Sequence, residues 1–263
     1  MEIIEKSIIG KNPDQNLCED GLFISENFIA VIDGVTAKSP ELFCGKTGGR
    51  AAMEKIIEAL SVLDKNSPQK ATFEILNESI KRLYESTPDG HASACAIIYS
   101  KAHKEIWCCG DCQCLINDTL YLNEKKIDSI TSEVRALVLE IALLQGKTTD
   151  ELLENDIGRN FIEPLLKKQY LFENSDNQYA YEVLNGKNLR FDLIKTYKVC
   201  NGDTVVLASD GYPVLKATLS ESEHELNKVI KENPLCNKGY LSTKGLKKGN
   251  LSFDDRTYIK FIV

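Results

Sequence analysis

Acidic residues stand at the ends of apolar stretches at three places in this 263-residue sequence. Asp33-Gly34 ends FIAVIDG, Asp210-Gly211 ends VVLASDG, and Asp254-Asp255 precedes RTYIKFIV. A buried strand fixes the side chain that follows it, so three strand ends that meet would form a rigid carboxylate cluster. Such carboxylates repel one another unless protons or cations intervene, and Mg²⁺ and Mn²⁺ prefer oxygen ligands. A single Asp-Gly is typical of a plain turn, but three such sites favour the hypothesis of a metal site.

A second concentration of reactive side chains is the segment WCCGDCQC, from Trp107 to Cys114. Its four cysteines admit a zinc or redox interpretation, with Asp111 at the centre. On a strand, Cys108 and Cys109 face opposite sides, which opposes the binding of one tetrahedral ion by all four. Nine cysteines in a chain of this length predict reduced thiols, and those of this segment suit a sheet interior.

Composition limits the partners of such a site. The chain is 43% hydrophobic and 27% charged, which is ordinary for a globular protein, and its formal net charge of -7 argues against binding of nucleic acid. No apolar run approaches the roughly 18 residues of a membrane helix, and MEIIEKSIIG is unlike a signal peptide. The sequence therefore predicts a cytoplasmic protein with no nucleic-acid or membrane partner.

Short strands and amphipathic helices must position these residues. Residues 22–34 predict two strands, and Ser39-Pro40 resembles a helix cap and first helical position before two amphipathic helices. Four short strands follow, SACAIIYS, KEIWCC, CQCLIN and TLYLN, which predict an antiparallel meander with Gly110-Asp111 at its central turn. From Ser132 to Gln169 the helical period returns, with Thr148 and Glu151 as a capping box.

The last third of the sequence again alternates strands with a helix. NLRFDLIKTYKV, DTVVLASDG and RTYIKFIV predict strands, and SESEHELNKVIKE predicts a helix opened by Ser220 and Glu223. The basic, glycine-rich stretch NKGYLSTKGLKKGN is interpreted as a solvated loop. Because no linker-like segment separates these elements, the pattern predicts one α+β domain of antiparallel sheets covered by helices.

Taken in order, these motifs resemble the metal-dependent protein Ser/Thr phosphatases of type 2C, in a bacterial-like form. The matching residues are Glu19-Asp20, Asp33-Gly34, Gly110-Asp111, Ala208 to Gly211, and Asp254 before Thr257. The resemblance implies a four-layer α-β-β-α sandwich of two antiparallel sheets flanked by helices. It further implies that residues 1–263 form a single phosphatase-like domain, with a helical insertion around 130–170.

The resemblance also implies a role for each matching residue. Asp33 would bridge two Mn²⁺ or Mg²⁺ ions, the Gly34 carbonyl would bind one of them, and Asp210 and Asp254 would hold the other. Two more metal-site residues, Glu19 and Asp20, precede them, with Glu19 acting mostly through bound water. Asp111 would hold a third ion. The implied activity is hydrolysis of phosphoserine and phosphothreonine in a phosphorylated partner protein by a metal-activated water, as in signalling, with Asp33, Asp210 and Asp254 as the catalytic set.

Two departures from the family pattern leave alternatives open. The family usually has an Arg four residues before the residue matching Glu19, where it holds the substrate phosphate, but this chain has Gln15, which cannot form a charged fork. Asp14 is a rival for the acidic position, and Asp255 replaces the usual Asn. Basic residues in nearby loops are candidates to bind the phosphate: Lys11, Lys38, Lys46 and Arg50. The alternative function is a catalytically weak metal-binding regulatory module of the same fold.

Overall fold

The structure is a computed structural model and describes residues 1–36 and 40–263. Its strands are β1 (Glu2–Ile9), β2 (Gly21–Ile24), β3 (Phe28–Gly34), β4 (Ala94–Ser100), β5 (Glu105–Cys109), β6 (Gln113–Ile116), β7 (Thr119–Tyr121), β8 (Lys195–Lys198), β9 (Thr204–Ala208), β10 (Asn237–Lys238), β11 (Tyr240–Leu241) and β12 (Arg256–Ile262). Its α-helices are α1 (Gly48–Ser61), α2 (Gln69–Lys81), α3 (Lys126–Leu144), α4 (Thr149–Glu154), α5 (Ile157–Leu166) and α6 (Leu219–Glu232). Lys38, a candidate for phosphate binding, lies outside the described residues.

Two five-stranded antiparallel sheets form the centre of the fold. The first sheet has the order β1-β12-β9-β6-β7, and the second has the order β2-β3-β4-β5-β8. Along β3, Ile29 and Val31 face the first sheet, whereas Ala30 and Ile32 face α1 and α2. This alternation buries both faces of β3, which explains the continuous apolar run before Asp33.

Helices cover the outer faces of the two sheets. The α1 helix begins where the Thr47 side chain accepts a hydrogen bond from the Arg50 backbone N–H, and Met53 and Ile56 then join the core over the second sheet. Beside the first sheet, the Tyr212 hydroxyl donates to Glu223 of α6 at 2.9 Å. The predicted α+β sandwich of antiparallel sheets and flanking helices is confirmed.

The helices α3, α4 and α5 fill residues 126–166 and pack against one another and against β10 and β11. The predicted capping box is present, since the Thr148 hydroxyl accepts from the Glu151 N–H and Glu151 accepts from the Thr148 N–H. Arg135 of α3 is fully buried and donates to Asp156 at 2.7 Å. The Arg135 pair therefore joins the middle of α3 to the N-terminus of α5. None of the helices in the described ranges is both long and apolar enough to span a bilayer.

The predicted meander is wrong at its central turn. β5 pairs with β4 and β8 in the second sheet, whereas β6 pairs with β7 and β9 in the first, so residues 110–112 cross between the sheets. Apolar alternation indicates which faces of a strand are buried, but it does not indicate which sheet the strand joins. The prediction for Cys108 and Cys109 is confirmed, because Cys108 faces the space between the sheets and Cys109 faces the α1 side.

Other differences concern the ends of elements. The strand β1 was not predicted, and it is an edge strand that pairs with β12 and exposes much of its surface. The helix α1 begins after Thr47 rather than after Ser39-Pro40, of which Ser39 is outside the described residues. The helix α6 is capped by Thr218 instead of Ser220. At both helices a threonine side chain accepts a free N–H group of the first turn, from Arg50 in α1 and from Glu221 in α6.

Candidate active site

A cavity of about 530 Å³ opens at the end of the two sheets. Four of the predicted acidic residues line it: Asp33, Asp111, Asp210 and Asp254. Asp33 is the second-to-last residue of β3, Asp210 follows the end of β9 by two residues, and Asp254 precedes the start of β12 by two residues. The cavity is therefore formed where strand ends of both sheets meet.

Glycines bring these strand ends together. A Cβ atom on Gly34 would lie 2.5 Å from the carbonyl oxygens of Glu19 and Gly49, and one on Gly211 would lie 2.0 Å from that of Asp255. Only a residue without a side chain permits such close packing of backbone on backbone. The glycine after each aspartate is thus required to join the segments that carry the acidic side chains.

Asp33 and Asp210 line the cavity close to other carboxylates. In the ranges 1–36 and 40–263, neither forms an ion pair with a basic side chain. Burial and the nearby carboxylate of Asp210 raise the pKa of Asp33 well above its usual value. The side chain of Asp210 is exposed to cavity water, but the surrounding protein and the carboxylates of Asp111 and Asp254 raise its pKa to about 7.

Asp111 and Asp254 differ, because lysines contact both of them. Lys125 Nζ lies 2.8 Å from Asp111 Oδ2. Lys11 Nζ lies 2.9 Å from Asp254 Oδ1, and Lys244 Nζ contacts the other oxygen of the same carboxylate. Burial alone would raise the pKa of Asp111 and Asp254, but these ammonium groups outweigh it and leave both pKa values below normal.

Glu19 and Asp20 lie behind the cavity wall and do not line the cavity. Glu19 accepts hydrogen bonds from the Thr47 hydroxyl at 2.6 Å and from the Thr36 hydroxyl. Asp20 accepts from Ser209 Oγ at 2.6 Å and from Thr257 Oγ1 at 2.9 Å. Asp20 therefore connects the ends of β9 and β12 through a buried carboxyl group.

Asp255, which stands where the family has Asn, is also part of the framework. Its two oxygens accept the backbone N–H groups of Lys11 at 2.7 Å and of Glu19 at 3.0 Å. The Lys11 ammonium lies 3.5 Å from the same carboxylate and balances its charge. An acceptor-only side chain suits two donors, so the acidic residue is explained by its contacts.

The described candidates for phosphate binding do not line the cavity. The Gln15 amide accepts from the Gly10 N–H at 2.7 Å and donates to the Asn12 carbonyl, so it is occupied by its own loop. Lys46 and Arg50 both contact Glu54 on α1. The basic residues that do line the cavity are Lys125, Arg159 and Lys244.

Sequence reasoning missed these three basic residues. Lys244 belongs to the stretch that was interpreted as a solvated loop, and its ion pair with Asp254 contradicts that interpretation. Lys125 and Arg159 belong to the segment around α3 and α5, where no motif distinguishes them. The available signal was the basic character of residues 237–250 directly before an acidic strand start.

The chemistry of the donors fits a divalent cation at part of the site. Asp33, Asp210 and the Gly34 carbonyl supply oxygen atoms only, and the two carboxylates repel each other in the absence of a counter-charge. As placed, no three His, Cys, Asp or Glu side chains in the described part of the chain surround a common point. Asp254 and Asp111 already have cationic partners, so the fit is best at Asp33 and Asp210.

The cysteines around Asp111 are structural. Cys108, Cys109, Cys112 and Cys114 are buried and free, and the first two lie on opposite faces of the second sheet. Burial raises the pKa of Cys108, Cys109 and Cys112 well above that of an exposed thiol. Their arrangement contradicts a single zinc site and favours their role as small core residues.

Comparison with known proteins decides the fold. No family model and no curated protein sequence matches the chain. Among solved structures, the catalytic domain of the Ser/Thr phosphatase PstP with two manganese ions matches with a TM-score of 0.50 and 16% identity, and the match covers both chains completely. The Ser/Thr phosphatase Stp1 from Staphylococcus aureus matches with a TM-score of 0.50 and 12% identity, over 100% of this chain and 97% of the other. The chain has the fold of the type 2C protein phosphatases. At these identities the likeness is one of fold, and it confirms the architecture that the motifs predicted.

Proposed function

We propose that this chain is a phosphatase that hydrolyses phosphoserine and phosphothreonine in proteins and depends on Mn²⁺ or Mg²⁺. The observation that carries the proposal is the pair Asp33 and Asp210, which face one cavity at strand ends and have no basic partner among the described residues. The PstP structure of the same fold contains two manganese ions. A cation is what this pair of carboxylates requires.

Each residue of the cavity has a part in this chemistry. Bound Mn²⁺ or Mg²⁺ would lower the pKa of a water molecule and offset the negative charge of the phosphate. Asp33, Asp210 and the Gly34 carbonyl would hold the ions, and Asp254 would join them once its lysines move away. The positive charges of Lys244 and Arg159 attract a phosphate group into the cavity.

The test is an activity assay with a phosphopeptide and an aryl phosphate, with and without Mn²⁺. We expect Asp33→Asn to lower kcat/KM by about 10³-fold, because it removes several kcal/mol of metal-dependent stabilisation. The matched control is Asp118→Asn, which alters an exposed carboxylate in the turn between β6 and β7. Turnover that needs neither the metal nor Asp33 would disprove the proposal.

A second candidate function is a metal-binding regulatory module that turns over poorly. Two observations favour it: the Gln15 side chain is bound to its own loop, and Asp254 is held by two lysines. Calorimetry distinguishes the two functions. Binding of Mn²⁺ without hydrolysis of either substrate would select the regulatory module.

A further inference from the structure

Asp111 is the residue that the family resemblance assigns to a third, weaker metal ion. It lies in the crossing between the two sheets and lines the same cavity as Asp33 and Asp210. A third ion at Asp111 requires that at least one carboxylate oxygen be open to the cavity. The contacts of its two oxygens therefore decide whether an ion has access.

Both oxygens of Asp111 are closed off. Oδ2 lies 2.8 Å from Lys125 Nζ, in an ion pair whose side chains are only 11% and 15% exposed. Oδ1 has almost no accessible surface and no hydrogen-bond partner among the described residues, so it faces protein rather than the cavity. An ion from solution would have to displace the ammonium group to reach the carboxylate.

The position of Lys125 is set by contacts on several sides. Its backbone is the N-cap of α3, which fixes where its side chain starts. Its ammonium lies 5.2 Å above the centre of the Tyr181 ring and 3.8 Å from Cys95 Sγ. A cation over an aromatic face is stabilised there by electrostatic attraction, and more so when it is desolvated.

We infer that the ammonium group of Lys125 is a built-in cation that replaces the third divalent ion at Asp111. A tethered cation has a high effective concentration at its partner and need not be captured from solution. It supplies one positive charge where a metal would supply two, so it balances Asp111 without offering an open coordination position. This inference rests on the proposed function, but it concerns only how many ions Asp111 allows.

The experiment counts bound Mn²⁺ by native mass spectrometry and by the electron paramagnetic resonance signal of free Mn²⁺ in a titration into the millimolar range. We expect Asp111→Asn to bind as many ions as the unmodified chain. We expect Lys125→Met to bind one more ion than the unmodified chain, and the double variant with Asp111→Asn to lose that ion. Lys126→Met, which alters the exposed neighbour, is the matched control and should bind the original number.

Two results would overturn the inference. One is loss of an ion in Asp111→Asn, which would show that Asp111 binds metal despite Lys125. The other is a folded Lys125→Met with an unchanged ion count. If Lys125→Met does not fold, the ion counts of Asp111→Asn and of Lys125→Arg, which keeps the charge, still test the inference. Unchanged counts in both variants support it. An ion lost in Asp111→Asn or gained in Lys125→Arg contradicts it. A chain that binds no ion at all would disprove the proposed function, while an ion gained in Lys125→Met would still support the role of Lys125.

Discussion

The two halves of the acidic cavity differ in how their charge is balanced. Asp33 and Asp210 lie close to other carboxylates and have raised pKa values, whereas Asp111 and Asp254 contact lysines and have lowered ones. The difference teaches that strand ends alone do not make four equivalent metal ligands. Lysines of the chain balance the charge of Asp111 and Asp254, whereas Asp33 and Asp210 form no ion pair with a basic side chain in the described ranges.

A lysine placed beside Asp33 should give this half of the cavity a built-in positive charge, as the other half already has. We expect Asp210→Lys to weaken Mn²⁺ binding by about 100-fold or more, because it removes a ligand and adds a repelling charge worth several kcal/mol. Calorimetry measures the affinity, with Asp118→Lys as the control for an added surface lysine. Unchanged Mn²⁺ affinity in Asp210→Lys would mean that the ion does not bind at this pair.

Removing a lysine from the compensated half should destabilise the fold. Lys11 contacts Asp254, Asp255 and Glu19, so Lys11→Met leaves these carboxylates without their shared cation. The Lys11 side chain is 22% exposed, so we expect a loss of about 1–3 kcal/mol in the free energy of unfolding, below the value for a fully buried pair. Urea denaturation measures this loss.

The control for Lys11 is Lys46→Met, which breaks the more exposed pair with Glu54 and should cost at most about 1 kcal/mol. Equal losses in the two variants would show that the cluster around Lys11 contributes no more than an ordinary surface ion pair.

Removing Lys244 from the Asp254 carboxylate should leave that carboxylate more available to a metal ion, as Asp210 is. We expect Lys244→Met to raise the affinity for Mn²⁺ by about tenfold, since an ammonium group no longer competes for the carboxylate, and tenfold corresponds to about 1.4 kcal/mol. Lys247→Met changes an exposed lysine of the same loop and should leave the affinity as it was. A lower affinity in Lys244→Met would show that Lys244 supports metal binding.

Asp20 adds a third kind of acidic group to the comparison, a buried carboxyl group that accepts hydrogen bonds from two hydroxyl groups. Burial, together with the charges of Asp255 and Asp254, raises its pKa to about 8 in the folded metal-free chain, against an ordinary value of about 4. The folded state then holds a proton that the unfolded state has lost, so this contribution to stability is full below pH ~4 and disappears as pH rises through ~8.

We therefore expect the melting temperature of the unmodified chain to fall relative to that of Asp20→Asn between pH 6 and about 8.5. The expected difference is about 2.5 kcal/mol, or several degrees in Tm. Scanning calorimetry of both metal-free proteins at the two pH values measures it. Parallel changes in the two proteins would show that Asp20 keeps an ordinary pKa.

The strand ends were predictable because apolar runs that stop at Asp-Gly are local features of the sequence. The structure places Asp33 and Asp210 at such ends, and periodicity also located α1, α2 and the helices of residues 126–166. The order of the motifs predicted the fold, which the comparison with solved structures confirms. These features depend on neighbours within a few residues along the chain.

The features that escaped prediction depend on neighbours that are distant in sequence. Lys125 is 14 residues from Asp111 in sequence, and Lys11 is 243 residues from Asp254. Long, flexible side chains leave no periodic pattern that would show which carboxylate they reach. The crossing at residues 110–112 was missed for a similar reason. Two strands show the same alternation of buried and exposed side chains whether they form one hairpin or belong to different sheets.

The position of β12 has a consequence for synthesis of the protein. It lies between β1 and β9 in the first sheet, so β1 pairs with a strand that is synthesised more than 240 residues later. Until the ribosome has released residues 254–262, Lys11 lacks Asp254 and the first sheet lacks the strand that joins β1 to β9. A nascent or prematurely terminated chain without this segment therefore lacks both Asp254 of the cavity and a complete first sheet.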